Sequence, residues 1–188
     1  MLSWLVMKEL KIKLFPAPVL TQKTNKIDEI TPAIQELIKS MTNAMRKARG
    51  VGLAAPQVGE SLRLAMIEHR AEENDEFEDI PLQILVNPKI ISFSRETDTE
   101  KEGCLSIPGI EVPVKRARKI KVKALDENGE KIQFRATGFK ARIIQHELDH
   151  LDGKLILDYA TDKEKIIQKY LAKQSKFNSK QKHDDQNL

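Results

Sequence analysis

Gln145-His146-Glu147-Leu148-Asp149-His150 is an H-E-x-x-H array, and the rest of the chain is read outward from it. On a helix, His146 and His150 lie one turn apart on a single face, so both imidazoles reach one metal ion while the Glu147 carboxylate stands beside it. Gly138 opens this helix. Phe139, Ile143, His146 and His150 step by four, three and four, which puts an apolar wall and a metal on one face. A helix that carries a metal must be buried against something, and the flanking sequence supplies strands.

Upstream, the segments Ile120 to Leu125 and Lys131 to Ala136 alternate apolar with polar residues around Asp126-Glu127-Asn128-Gly129, a hairpin signal. The basic run Lys115, Arg116, Arg118, Lys119, Lys121 and Lys123 feeds into this alternation and reads as the solvated face of a half-buried strand. Leu62 to Ile67 and Leu82 to Val86 read as further strands, with Pro88 interrupting before Ile90 and Ile91. Glu68 to Asp79 holds seven carboxylates and no apolar period, so it is expected to be a solvated loop or hairpin tip, with His69 on the surface. Thr31 caps and Pro32 starts an amphipathic helix carrying Ile34, Leu37, Ile38, Met41 and Met45, ended at Gly50. Thr161-Asp162-Lys163-Glu164 has the form of a capping box for a last helix. The predicted fold is α+β: mainly antiparallel strands around the central H-E-x-x-H helix, with an N-terminal amphipathic helix and a C-terminal helix. Residues 8–174 are expected to form one domain, residues 1–7 a disordered extension and residues 175–188 a polar disordered tail.

A catalytic zinc-type site takes three protein ligands and leaves one position open. One protease class places a third histidine downstream, but that position holds Ile156. A second class uses a downstream glutamate, for which Glu164 is available, although Glu164 already serves the capping box. Cys104, the chain's one cysteine, lies in Glu102-Gly103-Cys104-Leu105-Ser106-Ile107-Pro108, a glycine-containing turn ended by proline that lets backbone approach a metal closely, and is the better third ligand.

A lone cysteine forms no internal disulfide, and no secretory pattern opens the chain, so a reducing cytosol is expected. The apolar opening Met1 to Val6 is far too short to span a membrane. A net charge of +4 and a pI near 9.0 suit a polyanionic partner only weakly, since the charges are spread along the chain.

Gly50-Val51-Gly52-Leu53-Ala54-Ala55-Pro56-Gln57 lacks the lysine of a phosphate loop. Together with Glu102-Gly103-Cys104-Leu105-Ser106 and the H-E-x-x-H array, in this order and spacing, it resembles the three motifs of the peptide deformylases of bacteria and organelles, from about Lys8 to Tyr170. The resemblance implies removal of the N-formyl group from the initiator methionine of nascent proteins, with release of formate. It implies Cys104, His146 and His150 as metal ligands, Glu147 as general acid and base, and Gln57 with the Leu105 N–H as donors to the carbonyl oxygen. Val51 and Gly52 match the backbone edge that pairs with the peptide, and Phe139, Arg142 and Ile143 the wall of the methionine pocket. The cofactor implied is one divalent ion, Fe(II) in the cell, with Zn, Ni or Co in purified protein. The partners implied are N-formylmethionyl nascent peptides, met by a cytoplasmic monomer. The C-terminal stripe Ile166, Ile167, Tyr170 and Leu171, with Lys163, Lys165, Lys169 and Lys173 around it, reads as a packed helix with a solvated basic face. By resemblance, that face is also a candidate ribosome contact.

Overall fold

The computed structural model describes residues 9–73 and 75–184, the side chains only as far as residue 175, so the extension expected at residues 1–7 lies outside the described residues. The first helix, α1 (Pro32–Lys47), starts as the sequence predicts: the Thr31 side chain accepts a hydrogen bond from the Ile34 N–H. It ends differently, because Arg49 takes the left-handed conformation at φ 54° and the Gly50 N–H donates to the Met45 carbonyl.

Five strands follow in the order β1-β2-β3-β6-β7, all antiparallel: β1 (Gly52–Ala54), β2 (Leu64–His69), β3 (Ile80–Phe93), β6 (Lys119–Leu125) and β7 (Lys131–Thr137). Period-two alternation sends Leu64, Met66, Ile84 and Val86 to one face, where they pack with Ile38, Met41 and Met45 of α1. Ile67, Leu85, Ile120 and Val122 go to the other face, against Ala141, Ile143, Ile144 and Leu148 of α2 (Gly138–Leu151). The metal-motif helix is therefore buried under the sheet, as its sequence requires. The β6–β7 turn forms at Asp126–Gly129, where Asp126 accepts from the Asn128 and Glu130 N–H groups and Gly129 has φ 83°.

Three expectations are corrected. Pro88 does not interrupt β3; the strand runs through it with a register shift after Val86. Asn87 bends there at φ 51° and exchanges two hydrogen bonds with the Ile27 backbone, so the proline falls where no ladder donor is needed. A second sheet, β4 (Thr97–Gly103) with β5 (Glu111–Ala117), includes a strand whose sequence, TDTEKEG, has no apolar period to predict it. Finally, α3 runs Lys163–Asp184, through most of the segment expected to be a disordered tail. Its Ile166, Ile167 and Tyr170 pack with Val112 and Val114 of β5, with Ile107 in the turn between β4 and β5, and with Leu155–Leu157, while Lys163, Lys165, Lys169 and Lys173 face solvent. Among the described residues, no helix is long and apolar enough to cross a membrane.

Candidate metal centre and active site

The ligand atoms of Cys104, His146 and His150 lie within 4.8 Å of one another, although Cys104 comes from the turn after β4 and the histidines from α2. Cys104 Sγ is 3.2 Å from His150 Nε2. His146 turns Nδ1 to Glu102 Oε2 at 3.0 Å, which leaves its Nε2 for an ion and fixes the ring's tautomer and tilt. A thiolate and two imidazoles are the donor set of a three-ligand tetrahedral site, and these residues fit a divalent transition ion. Glu164 stands exposed on α3, outside this group.

Glu102 is the residue that sequence reasoning missed. Lying almost fully buried, it takes a two-pronged hydrogen bond from Arg116 at 2.9 Å on each oxygen, one from Arg142 Nη1 at 2.7 Å, and the His146 contact. Arg116 continues to Asp149 at 2.5 Å and stacks over the Tyr159 ring at 4.8 Å. Burial works against the Glu102 charge, but hydrogen bonds from His146 and Arg116 overcome it and hold the carboxyl at about 2. Against the same burial, hydrogen bonds to Cys104 and Glu102 lift His146 to about 10. Burial, aided by the neighbouring His146 charge, drives His150 well below its ordinary value. The only sequence signal for Glu102 is its place beside the cysteine in a strand whose opposite partner carries Arg116.

Glu147 is 3% exposed, and its Oε2 has no hydrogen-bond partner. Burial pushes its carboxyl up to about 7, with the His146 charge opposing and the Glu102 charge adding. Its other oxygen explains Gly52: a Cβ on that residue would sit 2.2 Å from Glu147 Oε1. Gln57, in the 3-10 turn Ala55–Val58, accepts from the Ala54 N–H through Oε1 and points Nε2 at Ser106 Oγ (3.3 Å) and Cys104 Sγ (3.7 Å). The amide is thus oriented with its donor toward the metal group. Strand β1 is an edge, paired only with β2, and the Ala54 N–H at its end is taken by Gln57.

These residues surround a cavity of about 460 Å³ lined by Val51, Gly52, Gln57, Cys104, Leu105, Phe139, Arg142, Ile143, His146 and Glu147, among others. A larger cleft of about 1080 Å³ touches a different face of α2, at Gln145, Leu148, Asp149 and Asp152, and contains none of the three metal-group residues. Chemistry rather than size identifies the site. Arg142 lines the cavity, but its guanidinium is engaged with Glu102, Asp98, Glu100 and the Val114 carbonyl, so it braces the wall instead of offering an apolar surface.

Residues 9–166 match the Polypeptide deformylase family. The chain belongs to the peptide deformylase family. Among deformylases, that of Dictyoglomus thermophilum is 48% identical over 145 residues, spanning 77% of this chain and 88% of its own. The chloroplastic peptide deformylase 1B of Solanum lycopersicum is 39% identical over 170 residues, 89% of this chain and 60% of its own. The crystal structure of the Ehrlichia chaffeensis deformylase superposes with a TM-score of 0.82 at 32% identity, covering 89% of this chain and 97% of that one. The structure of the Ehrlichia chaffeensis deformylase in complex with actinonin gives 0.80 at 34% identity, with 87% and 96% covered. This deformylase-family chain departs from its sequence-based expectation at His69, which is not a surface residue. The His69 side chain is 12% exposed, with its ring edge-on to Phe139 at 5.4 Å and its Nε2 3.1 Å from Asp75 Oδ2. Phe77, from the same acidic segment, reaches the cavity and is likewise invisible to the sequence pattern.

Proposed function

We propose that this chain hydrolyses the N-formyl group of formyl-methionyl nascent peptides, releasing formate and a free α-amine. The observation that carries the proposal is the buried Glu147 carboxyl, its Oε2 without a hydrogen-bond partner, beside a Cys-His-His group with the Gln57 amide aimed at the same point. A bound divalent ion supplies Lewis-acid chemistry, polarising a carbonyl and acidifying water in contact with it.

Cys104, His146 and His150 hold that ion, and Glu102 holds His146. Glu147, ionised, accepts the proton of the attacking water as its oxygen bonds to the formyl carbon; as the C–N bond breaks, Glu147 returns the proton to the departing nitrogen. The Gln57 Nε2–H and the Leu105 N–H stabilise the developing oxyanion, each donor contributing on the order of 3 kcal/mol. The backbone at Val51 and Gly52, where edge strand β1 begins, pairs with the substrate backbone, and Phe139 and Ile143 receive the methionine side chain.

We further propose ferrous iron as the ion in the cell, with zinc, nickel or cobalt taking its place in aerobically purified protein, since a ferrous thiolate is open to oxidation. A reducing cytosol suits a chain whose ligand thiol must stay reduced, and the chain is proposed to act there as a monomer. The exposed lysines of α3 are offered as a contact for ribosomal RNA phosphates; reversing their charge should abolish a salt-sensitive co-sedimentation with ribosomes without changing turnover of a free peptide. The deciding experiment follows formate and new amine from formyl-Met-Ala-Ser with anaerobically prepared, metal-analysed protein. Formate and amine in equal amounts support the reading, whereas cleavage at an internal peptide bond without formate overturns it.

A further inference from the structure

We propose that Phe77, on the β2–β3 loop, forms the outer wall of the cavity that receives the first substrate side chain and is a specificity residue for it; the inference rests on the deformylase reading above. Phe77 stacks on Phe139 with ring centroids 3.9 Å apart and planes 13° from parallel. Phe139 stands on α2 one turn before Ile143, which in turn leads to His146, so Phe77 extends the apolar wall outward on the face that carries the metal group. His69 abuts both rings, at 5.4 Å from Phe139 and 6.3 Å from Phe77.

The loop holds this ring in place through its own polar groups. Asp75 Oδ1 accepts the Phe77 N–H at 3.1 Å and Asp79 accepts the Ala71 N–H at 2.6 Å, while Asp75 Oδ2 lies 3.1 Å from His69 Nε2 without hydrogen-bond geometry. Around Phe77 the segment is otherwise acidic, with Glu72, Glu73, Glu76 and Glu78 all exposed. Solvated carboxylates keep the loop's outer side in water, and the one large apolar side chain turns inward. Phe77 remains 37% exposed, so apolar area is still available to be covered when a substrate side chain enters.

A wall that touches only the first side chain should matter in proportion to that side chain. Formyl-Met-Ala-Ser and formyl-Gly-Ala-Ser differ only there. With metal-loaded full-length protein, Phe77→Ala is expected to lower kcat/KM for the methionine peptide roughly tenfold and to leave the glycine peptide within about twofold, the scale of a lost apolar contact. Phe77→Tyr, which keeps the stack, should retain the wild-type ratio, and His69→Ala should narrow it partly by loosening the ring's support. Calorimetric binding of the product Met-Ala-Ser against Gly-Ala-Ser supplies a readout independent of turnover, with the same expected narrowing. Thermal melting identifies any variant that fails to fold, and the Tyr and His69 variants then carry the test. An unchanged methionine-to-glycine ratio in Phe77→Ala, or an equal loss on both peptides, overturns the inference. Failure of the wild-type protein to release formate from either peptide instead overturns the deformylase reading, and peptide binding still decides the role of Phe77.

Discussion

At the C-terminal end of α2 a buried ion network reaches the metal group through one residue: Glu102 ties His146 to Arg116 and Arg142, and Arg116 reaches back to Asp149 on the same helix. At its N-terminal end Phe139 and Ile143 meet apolar and aromatic neighbours, one of them carried by a loop with six of its carboxylates exposed to water. The two kinds of contact fail differently. A buried ion network is all-or-none, since removing one partner strands the others without water, whereas apolar burial is graded with area. On the proposed function, one helix thus joins a chemical end braced by charge to a recognition end braced by apolar contact.

Replacement of Glu147 by alanine should have the largest effect, lowering kcat on both the methionine and glycine peptides by about 10² to 10⁴-fold while metal content stays unchanged, because in the proposed mechanism the carboxylate moves protons without holding the ion. Comparable losses with metal release would merge it with the ligand group. Next comes Glu102→Ala, which removes the buried carboxylate shared by Arg116 and Arg142 and leaves Arg116 only Asp149 and Arg142 only the more exposed Asp98 and Glu100 with the Val114 carbonyl. About 3 to 5 kcal/mol of stability should be lost in a denaturant titration. Metal affinity should fall about 10 to 100-fold as His146 loses its support.

Gly52→Ala forces a Cβ into Glu147 Oε1 and should cost about 100-fold in kcat with little change in the methionine-to-glycine ratio. Acid should distinguish the two ends as well. Glu102 titrates at about 2 in the fold against an ordinary 4.5, so its contribution is complete above 4.5 and is lost as pH falls toward 2. Melting temperature across that window should fall less steeply in Glu102→Gln than in wild type. The smallest effect belongs to the recognition end: Ile143→Ala should reduce the methionine-to-glycine preference by about tenfold, from roughly 1.5 kcal/mol of lost burial.

Legibility in the sequence divides along the same line between local and long-range contacts. His146, Glu147 and His150 are readable because helical spacing alone puts them together, and α1 and the β6–β7 hairpin because their periodicity and turn residues act locally. Cys104 is accessible through metal chemistry, which demands a third ligand. Glu102 is hidden because burial of a carboxylate depends on cations brought from β5 and α2, which no local pattern encodes. Strand β4 is hidden since its side chains are almost all exposed and polar, with pairing to β5 as its organising force. Phe77 and His69 escape for a related reason: seven carboxylates dominate the segment's composition, while the contact that matters is between one ring and another more than sixty residues away.

The most direct test of the metal-dependent chemistry is formate release from formyl-Met-Ala-Ser by anaerobically prepared wild-type protein and by Cys104→Ala, each with its metal counted. One divalent ion per wild-type chain, with formate and free amine appearing together, and loss of both ion and activity in Cys104→Ala, is the predicted result. Undiminished formate release by a metal-free Cys104→Ala protein would contradict it.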